Sequence, residues 1–185
     1  NNNMVEYNHI LNNLNFYFRC AVYKRMMSDK EVCSLLSGGL DSSLVSAILS
    51  EKMGQYRLKT FAIGIKGSPD LKNAQLVADH IKSNHYSIEL TEQEFLDAIP
   101  EVIYNIESYD TTTVRASVGN YLVAKYIREN TDCKVVFNGD YADEVCGGYK
   151  YFKNAPSEID FHNECLRLVN DIHYYDCLRS DRSIS

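Results

Sequence analysis

The segment Val32-Cys33-Ser34-Leu35-Leu36-Ser37-Gly38-Gly39-Leu40-Asp41-Ser42-Ser43 constrains this chain more than any other. The apolar run from Val32 to Leu36 reads as a short buried strand. Two glycines, an acid and two serines follow at once, and then Leu44, Val45, Ala47, Ile48 and Leu49 recur at helical spacing. A strand that enters a helix through a Gly-rich turn aims backbone N–H groups at whatever sits above the helix N-terminus. That geometry suits a phosphate or pyrophosphate. The hydroxyls of Ser37, Ser42 and Ser43 add donors, and Asp41 could hold a magnesium ion on the same phosphates.

Two other phosphate loops are excluded. A Walker A loop ends in Gly-Lys-Ser/Thr, and no lysine occurs between Glu31 and Glu51. The dinucleotide fingerprint needs a third glycine where Ser42 stands. What remains, S-G-G-L-D-S-S, is the signature of the pyrophosphatase-type ATP loop (PP-loop), which releases pyrophosphate and leaves an adenylated intermediate.

The rest of the chain supplies the frame for such a loop. Helical spacing of Ile10, Leu14, Tyr17, Phe18, Ala21 and Val22 predicts a helix from about Asn8 to Met27. Strands are predicted at Glu31 to Leu36, Leu58 to Ile65, His85 to Leu90 and Lys134 to Asn138. Between them, the helix after the first loop ends at Gly54. Ser68-Pro69-Asp70 starts the next one, and Thr91-x-x-Glu94 is a capping box opening a third. That third helix should run to about Ile106 with a bend at Pro100. A further helix carries Val118, Leu122, Val123, Tyr126 and Ile127, and Ser157 caps a last one, about Glu158 to Tyr175. Alternating strands and helices predict one α/β domain over residues 1–185, a parallel sheet with helices on both faces. Ligands bind at the carboxyl ends of such strands. Strands one and four both end there in Gly/Asp-rich loops, Ser37 to Ser43 and Gly139 to Gly148.

Charge and cysteine usage narrow the partners. The formal net charge of −6 argues against wide contact with nucleic acid. It also counts against the tRNA-modifying enzymes that share this kind of loop. No apolar stretch is long enough for a membrane span, and the polar N-terminus is no signal peptide. The six cysteines form no C-x-x-C pair, which favours reduced, mostly packed thiols in a cytoplasmic setting. His85, His162 and His173 share no metal-ligand spacing and read as structural.

Taken together, the motifs resemble the synthetase domain of the glutamine-dependent asparagine synthetase family. The likeness rests on Leu35 to Ser43, Phe61-Ala62-Ile63-Gly64, Gly67-Ser68-Pro69-Asp70-Leu71-Lys72, Tyr109 to Ser117, Asp143-Glu144, Gly147-Gly148-Tyr149 and Tyr175-Asp176-Cys177-Leu178-Arg179. It implies the adenine-nucleotide alpha-hydrolase-like fold, with ATP and Mg2+ bound. By that resemblance Leu36 and Ile63 contact adenine and ribose. The loop residues Ser37, Gly38, Gly39, Asp41, Ser42 and Ser43, with Asn138 and Gly139, hold the nucleotide. Asp41 and Asp143 share the metal. Thr112 and Arg115 belong to the substrate segment, and Asp140 is the catalytic carboxylate. The implied reaction joins aspartate, ATP and ammonia through β-aspartyl-AMP. The plainer alternatives are a helix N-terminus charged by Asp143 and Glu144, and a capping cluster at Thr111 to Thr113.

The second loop departs from the family. Asn138-Gly139-Asp140-Tyr141-Ala142-Asp143-Glu144 stands where the pattern is S-G-E-G-S-D-E. The turn at Tyr141 is one where φ > 0 is expected, which a bulky residue resists. Asp140 is one methylene shorter than the glutamate. It is therefore expected to lose reach for the amination step, with Asp140→Glu raising ammonia-dependent turnover; the plainer alternative is a loop that Tyr141 and Ala142 have reshaped to suit aspartate. The chain is expected to be a fragment, with a glutaminase domain and a later helical region in the full-length protein, and a homodimer is possible. A non-catalytic or altered-substrate nucleotide-binding remnant of the same fold is the alternative.

Overall fold

The computed structural model describes the backbone of residues 2–180 and the side chains of residues 6–172. The side chains of His173 and of the Tyr175 to Arg179 segment lie outside the described residues. The sheet has four strands: β1 (Glu31–Leu35), β2 (Lys59–Ile65), β3 (Asn84–Leu90) and β4 (Cys133–Phe137). All pairings are parallel, in the order β3-β2-β1-β4.

Residue alternation along β1 explains why helices cover both faces. Val32 points toward α1 (Asn2–Arg25) and α2 (Leu40–Met53), where it packs with Val22, Val45, Ile48 and Leu49. Ser34, on the same face, shares a 2.9 Å hydrogen bond with Ser46 of α2. On β2 that face carries Ala62, which packs with Leu71, Ala74 and Ala78 of α3 (Pro69–Ile81). Cys33 points the other way and packs with Phe61 of β2, Cys133, and Val123 and Ile127 of α6 (Thr111–Asn130). Leu49, Leu58 and Phe61 are at most 1% exposed. Burial of each side chain of this size contributes roughly 1.5–3 kcal/mol.

Several sequence expectations change on the structure. The single helix expected from Thr91 to Ile106 is two, α4 (Glu92–Asp97) and α5 (Ile99–Ile106), broken at Ala98. Pro100 has no N–H for an i−4 carbonyl, so it starts a new helix near its N-terminus and does more than bend an old one. The Thr91–Glu94 capping box is present. Asp110, not a threonine, caps α6: its Oδ2 accepts from Thr113 N at 2.8 Å. The Gly139 to Gly148 loop contains a short helix, α7 (Ala142–Cys146), followed by a 3-10 turn at Lys150–Asn154 and then α8 (Glu158–Ser180). In α1 residues 6–18 are exposed, including Ile10, Leu14 and Tyr17 of the apolar stripe, and Val22 alone among them enters the core. Of the thiols, Cys33 and Cys133 are buried, while Cys20 and Cys146 are exposed. Burial pushes the Cys33 thiol well above its ordinary value, as expected of an inert core cysteine. Among the described residues no helix is long and apolar enough to cross a membrane.

His85 gives the fold a pH dependence. Its Nδ1 lies 2.9 Å from Thr60 Oγ1, which in turn lies 2.8 Å from Ser83 Oγ. Its Nε2 is buried with no hydrogen-bond partner among the described residues. Burial lowers the His85 pKa, outweighing the opposing charge of Asp79. The folded state therefore binds this proton less readily than the unfolded chain. The His85 contribution is fully present above the unfolded value, about pH 6.5, and is lost as pH falls through that value toward the folded one. Melting curves taken between pH 5.5 and 7.5 should show stability falling with acidification, and His85→Gln should flatten that slope. An unchanged slope in the variant would assign the effect elsewhere.

Candidate active site

The order of the strands locates the site. The chain leaves β1 to form β2 and then β3 on one side, and returns to form β4 on the other. β1 and β4 therefore flank the point where the winding reverses, and their carboxyl ends leave a crevice between them. A cavity of about 320 Å3 opens there. Leu35, Ser37, Gly39, Asp41 and Ser42 line it from the first loop, and residues 138–144 line it from the second. Asn120 of α6 and Tyr149 complete the wall.

Two glycines set the geometry. Gly38 has φ +79, and a Cβ there would lie 2.6 Å from Ala74 N and the Asn73 carbonyl carbon of α3. Gly139 touches the first loop itself: its Cβ would lie 2.6 Å from Ser42 N and 2.9 Å from the Asp41 carbonyl carbon. The two loops are thus in backbone contact, which no larger residue at 139 permits. The serines organise the turn. Ser37 and Ser42 hydroxyls lie 2.9 Å apart, Ser42 Oγ accepts from Ser37 N at 3.2 Å, and Ser43 Oγ donates to Gly39 O at 2.6 Å.

The second loop turns sharply. Tyr141 takes φ 71 and ψ 0, the left-handed conformation expected of the glycine it replaces, at a cost of about 1–3 kcal/mol. The turn starts α7, whose first turn carries Asp143 and Glu144. Gly148 N donates to Asp143 O at 2.9 Å, and Tyr149 OH donates to Glu144 Oε1 at 2.5 Å. Asn138 Nδ2 donates to Asp140 Oδ2 at 3.0 Å.

The lining carries four carboxylates, those of Asp41, Asp140, Asp143 and Glu144, and no lysine or arginine. A polyphosphate entering this wall needs a cation to offset the repulsion. Among the described residues no three His, Cys, Asp or Glu side chains are grouped to hold a metal by themselves. Magnesium is commonly held by one or two carboxylates plus substrate phosphates and water, and Asp41 and Asp143 each bring a carboxylate of that kind to the lining.

The remaining expected residues are placed differently. Leu36 is 1% exposed and packs with Ala62 and α3, its N–H donating to Phe61 O at 2.8 Å. It is Leu35 that lines the cavity. Ile63 is half-buried against the Phe61 and Val123 cluster under α6. Thr112 and Arg115 are exposed and do not line the cavity. On α6 they precede Asn120 by about 12 and 7.5 Å along the helix axis. Asn120 itself was not anticipated from the sequence. The available signal is Gly119-Asn120, two poor helix formers inside a long helix. Tyr149 and Glu144 form a hydrogen-bonded pair in the wall, a pairing that their spacing in sequence does not reveal.

A parallel α/β domain with two glycine-locked loops at its switch point is the class these features define. The Asparagine synthase family model matches residues 14–164, and the chain belongs to that family. It is 51% identical over 178 residues to the glutamine-hydrolysing asparagine synthetase of Homo sapiens, covering 94% of this chain and 32% of that protein. Identity to the corresponding protein of Mus musculus is 48% over the same length and shares. The chain thus spans about a third of the length of the curated relatives it matches. Among solved structures, the NH3-dependent NAD synthetase of Campylobacter jejuni is similar with a TM-score of 0.46 and 22% identity, covering 69% of this chain and 55% of that one.

Proposed function

We propose that this chain is the ATP-dependent ligase domain of an asparagine-synthetase-type enzyme, adenylating the side-chain carboxylate of aspartate and passing the acyl group to ammonia. The observation that carries this is the β1–β4 crevice, where a glycine-rich phosphate loop and an acidic second loop are in backbone contact through Gly139. Family membership supports ATP as the nucleotide.

In the first step a carboxylate oxygen of aspartate bonds to the α-phosphorus of ATP, and the bond to the pyrophosphate oxygen breaks. The N–H groups of the first loop and the N-terminus of α2 receive the phosphates. Asp41 and Asp143 would hold magnesium, which when bound neutralises charge on the phosphate oxygens. In the second step the ammonia lone pair bonds to the acyl carbon, and AMP leaves with the electron pair of the broken C–O bond. Asp140 accepts a proton from the new nitrogen. Thr112 and Arg115 are proposed for the substrate segment, which requires the aspartate to extend from the cavity along α6. A glutaminase domain elsewhere in the full-length protein would supply ammonia, in a cytoplasmic setting.

The test is isotope exchange. With magnesium, labelled pyrophosphate should enter ATP only when aspartate is present, and ammonia should not be required. Exchange without aspartate, or none with it, would contradict the proposal. ATP binding without exchange would favour the non-catalytic remnant.

A further inference from the structure

We infer that Asn138 is a positioning residue of the Asp140 carboxylate, and that the two side chains form one length-matched unit. This rests on the proposed amination step. The Asn138 amide is used at both ends: Nδ2 donates to Asp140 Oδ2 at 3.0 Å, and Oδ1 accepts from Asp140 N at 3.3 Å. Both the main chain and the side chain of residue 140 are therefore tied to one group.

The backbone on either side of Asp140 has little room to move. Gly139 lies against Ser42 N and the Asp41 carbonyl carbon, so closely that a methyl group there would overlap them. Tyr141 is turned to φ 71 and leads directly into α7. What is left to set is the side-chain rotamer of Asp140. Asp41, Asp143 and Glu144 share the same cavity wall. Like charges around one cavity push a carboxylate outward, and the Asn138 N–H offsets this with a charge-assisted hydrogen bond.

The arm lengths explain why both residues depart from the resembled pattern. Serine and glutamate stand at these positions there. Serine places its donor one bond nearer the backbone than asparagine does, and glutamate places its oxygens one bond further out than aspartate does. A longer donor arm with a shorter acid keeps the summed reach. Asp140 is thus matched to its own loop, the second of the two possibilities the sequence left open.

The experiment is a four-member cycle in the full-length protein: wild type, Asn138→Ser, Asp140→Glu, and both together. Ammonia-dependent asparagine formation is followed, with kcat and KM for ATP separated. Each single change should lower kcat, on the order of ten- to a hundredfold for a misplacement near one ångström, and move KM for ATP less. The double variant should recover most of the lost kcat. A rise in kcat for Asp140→Glu alone, or a double variant as poor as the product of the singles, would overturn the inference. Side-chain amide exchange by NMR addresses the pair without turnover. Water exchange at Asn138 Nδ2 should quicken on the order of tenfold in Asp140→Ala. Equal rates in both proteins would overturn the pairing. If wild type shows no aspartate-dependent exchange while the amide is protected, the proposed reaction fails and the pairing stands.

Discussion

Gly38→Ala is expected to destabilise the domain by about 2–5 kcal/mol. Two costs add at this position. The backbone stands at φ +79, where a Cβ crowds its own carbonyl, and the added methyl would lie 2.6 Å from main-chain atoms of Asn73 and Ala74. Main chain at the start of α3 cannot step aside as a flexible side chain does, so the first loop or α3 must shift as a unit. For a domain of this size the melting temperature should fall by roughly 5–20 °C. Gly67→Ala is the matched control. Gly67 has φ +78 but nothing within 4 Å of its would-be Cβ, so only the conformational cost applies. Scanning calorimetry of both variants separates strain from overlap. Equal, small losses would mean that the loop and α3 are not in the contact described.

Asp41→Asn is expected to weaken ATP binding measured with magnesium by on the order of ten- to a hundredfold, from loss of a charged ligand. Binding measured in chelator should change far less, because the substitution there only removes one negative charge from a wall of four. Asp41 also lies in the first turn of α2, where its charge favours the helix dipole. That effect, about 0.3–1 kcal/mol, would appear in thermal stability whether or not magnesium is present. Titration calorimetry with and without magnesium separates the two roles. Equal losses in both conditions would remove Asp41 from the metal site.

The strand-loop-helix unit at Val32 to Leu49 was legible because its period changes abruptly at two glycines, a local signal that needs no tertiary context. The second loop was legible in composition, and the demand at Tyr141 for a left-handed backbone followed from the glycine it replaces. Where the sequence fell short, the missing information was three-dimensional. Leu35 and Leu36 are both apolar, and alternation alone cannot say which faces the crevice and which the core. The long reach of α6 places Asn120, not Thr112 or Arg115, in the cavity wall, and helical spacing carries no information on where a helix crosses the sheet. The exposed apolar residues of α1 have the spacing of a buried stripe, yet only its last turns meet α2, where Arg19 pairs with Glu51 at 2.7 Å. Asn138 stands where the resembled pattern has serine, and the sequence does not show that its side chain closes on Asp140, two residues on.

The proposed function has aspartate activated as an acyl adenylate in the β1–β4 crevice. If so, one carboxylate oxygen of aspartate ends on AMP, because ammonia attacks carbon and the C–O bond is the one that breaks. Aspartate labelled with oxygen-18 in its side-chain carboxylate, turned over with ATP, magnesium and ammonia by the full-length protein, should give AMP carrying one heavy oxygen for each asparagine formed. Unlabelled AMP, or ADP with labelled phosphate, would contradict activation through an acyl adenylate.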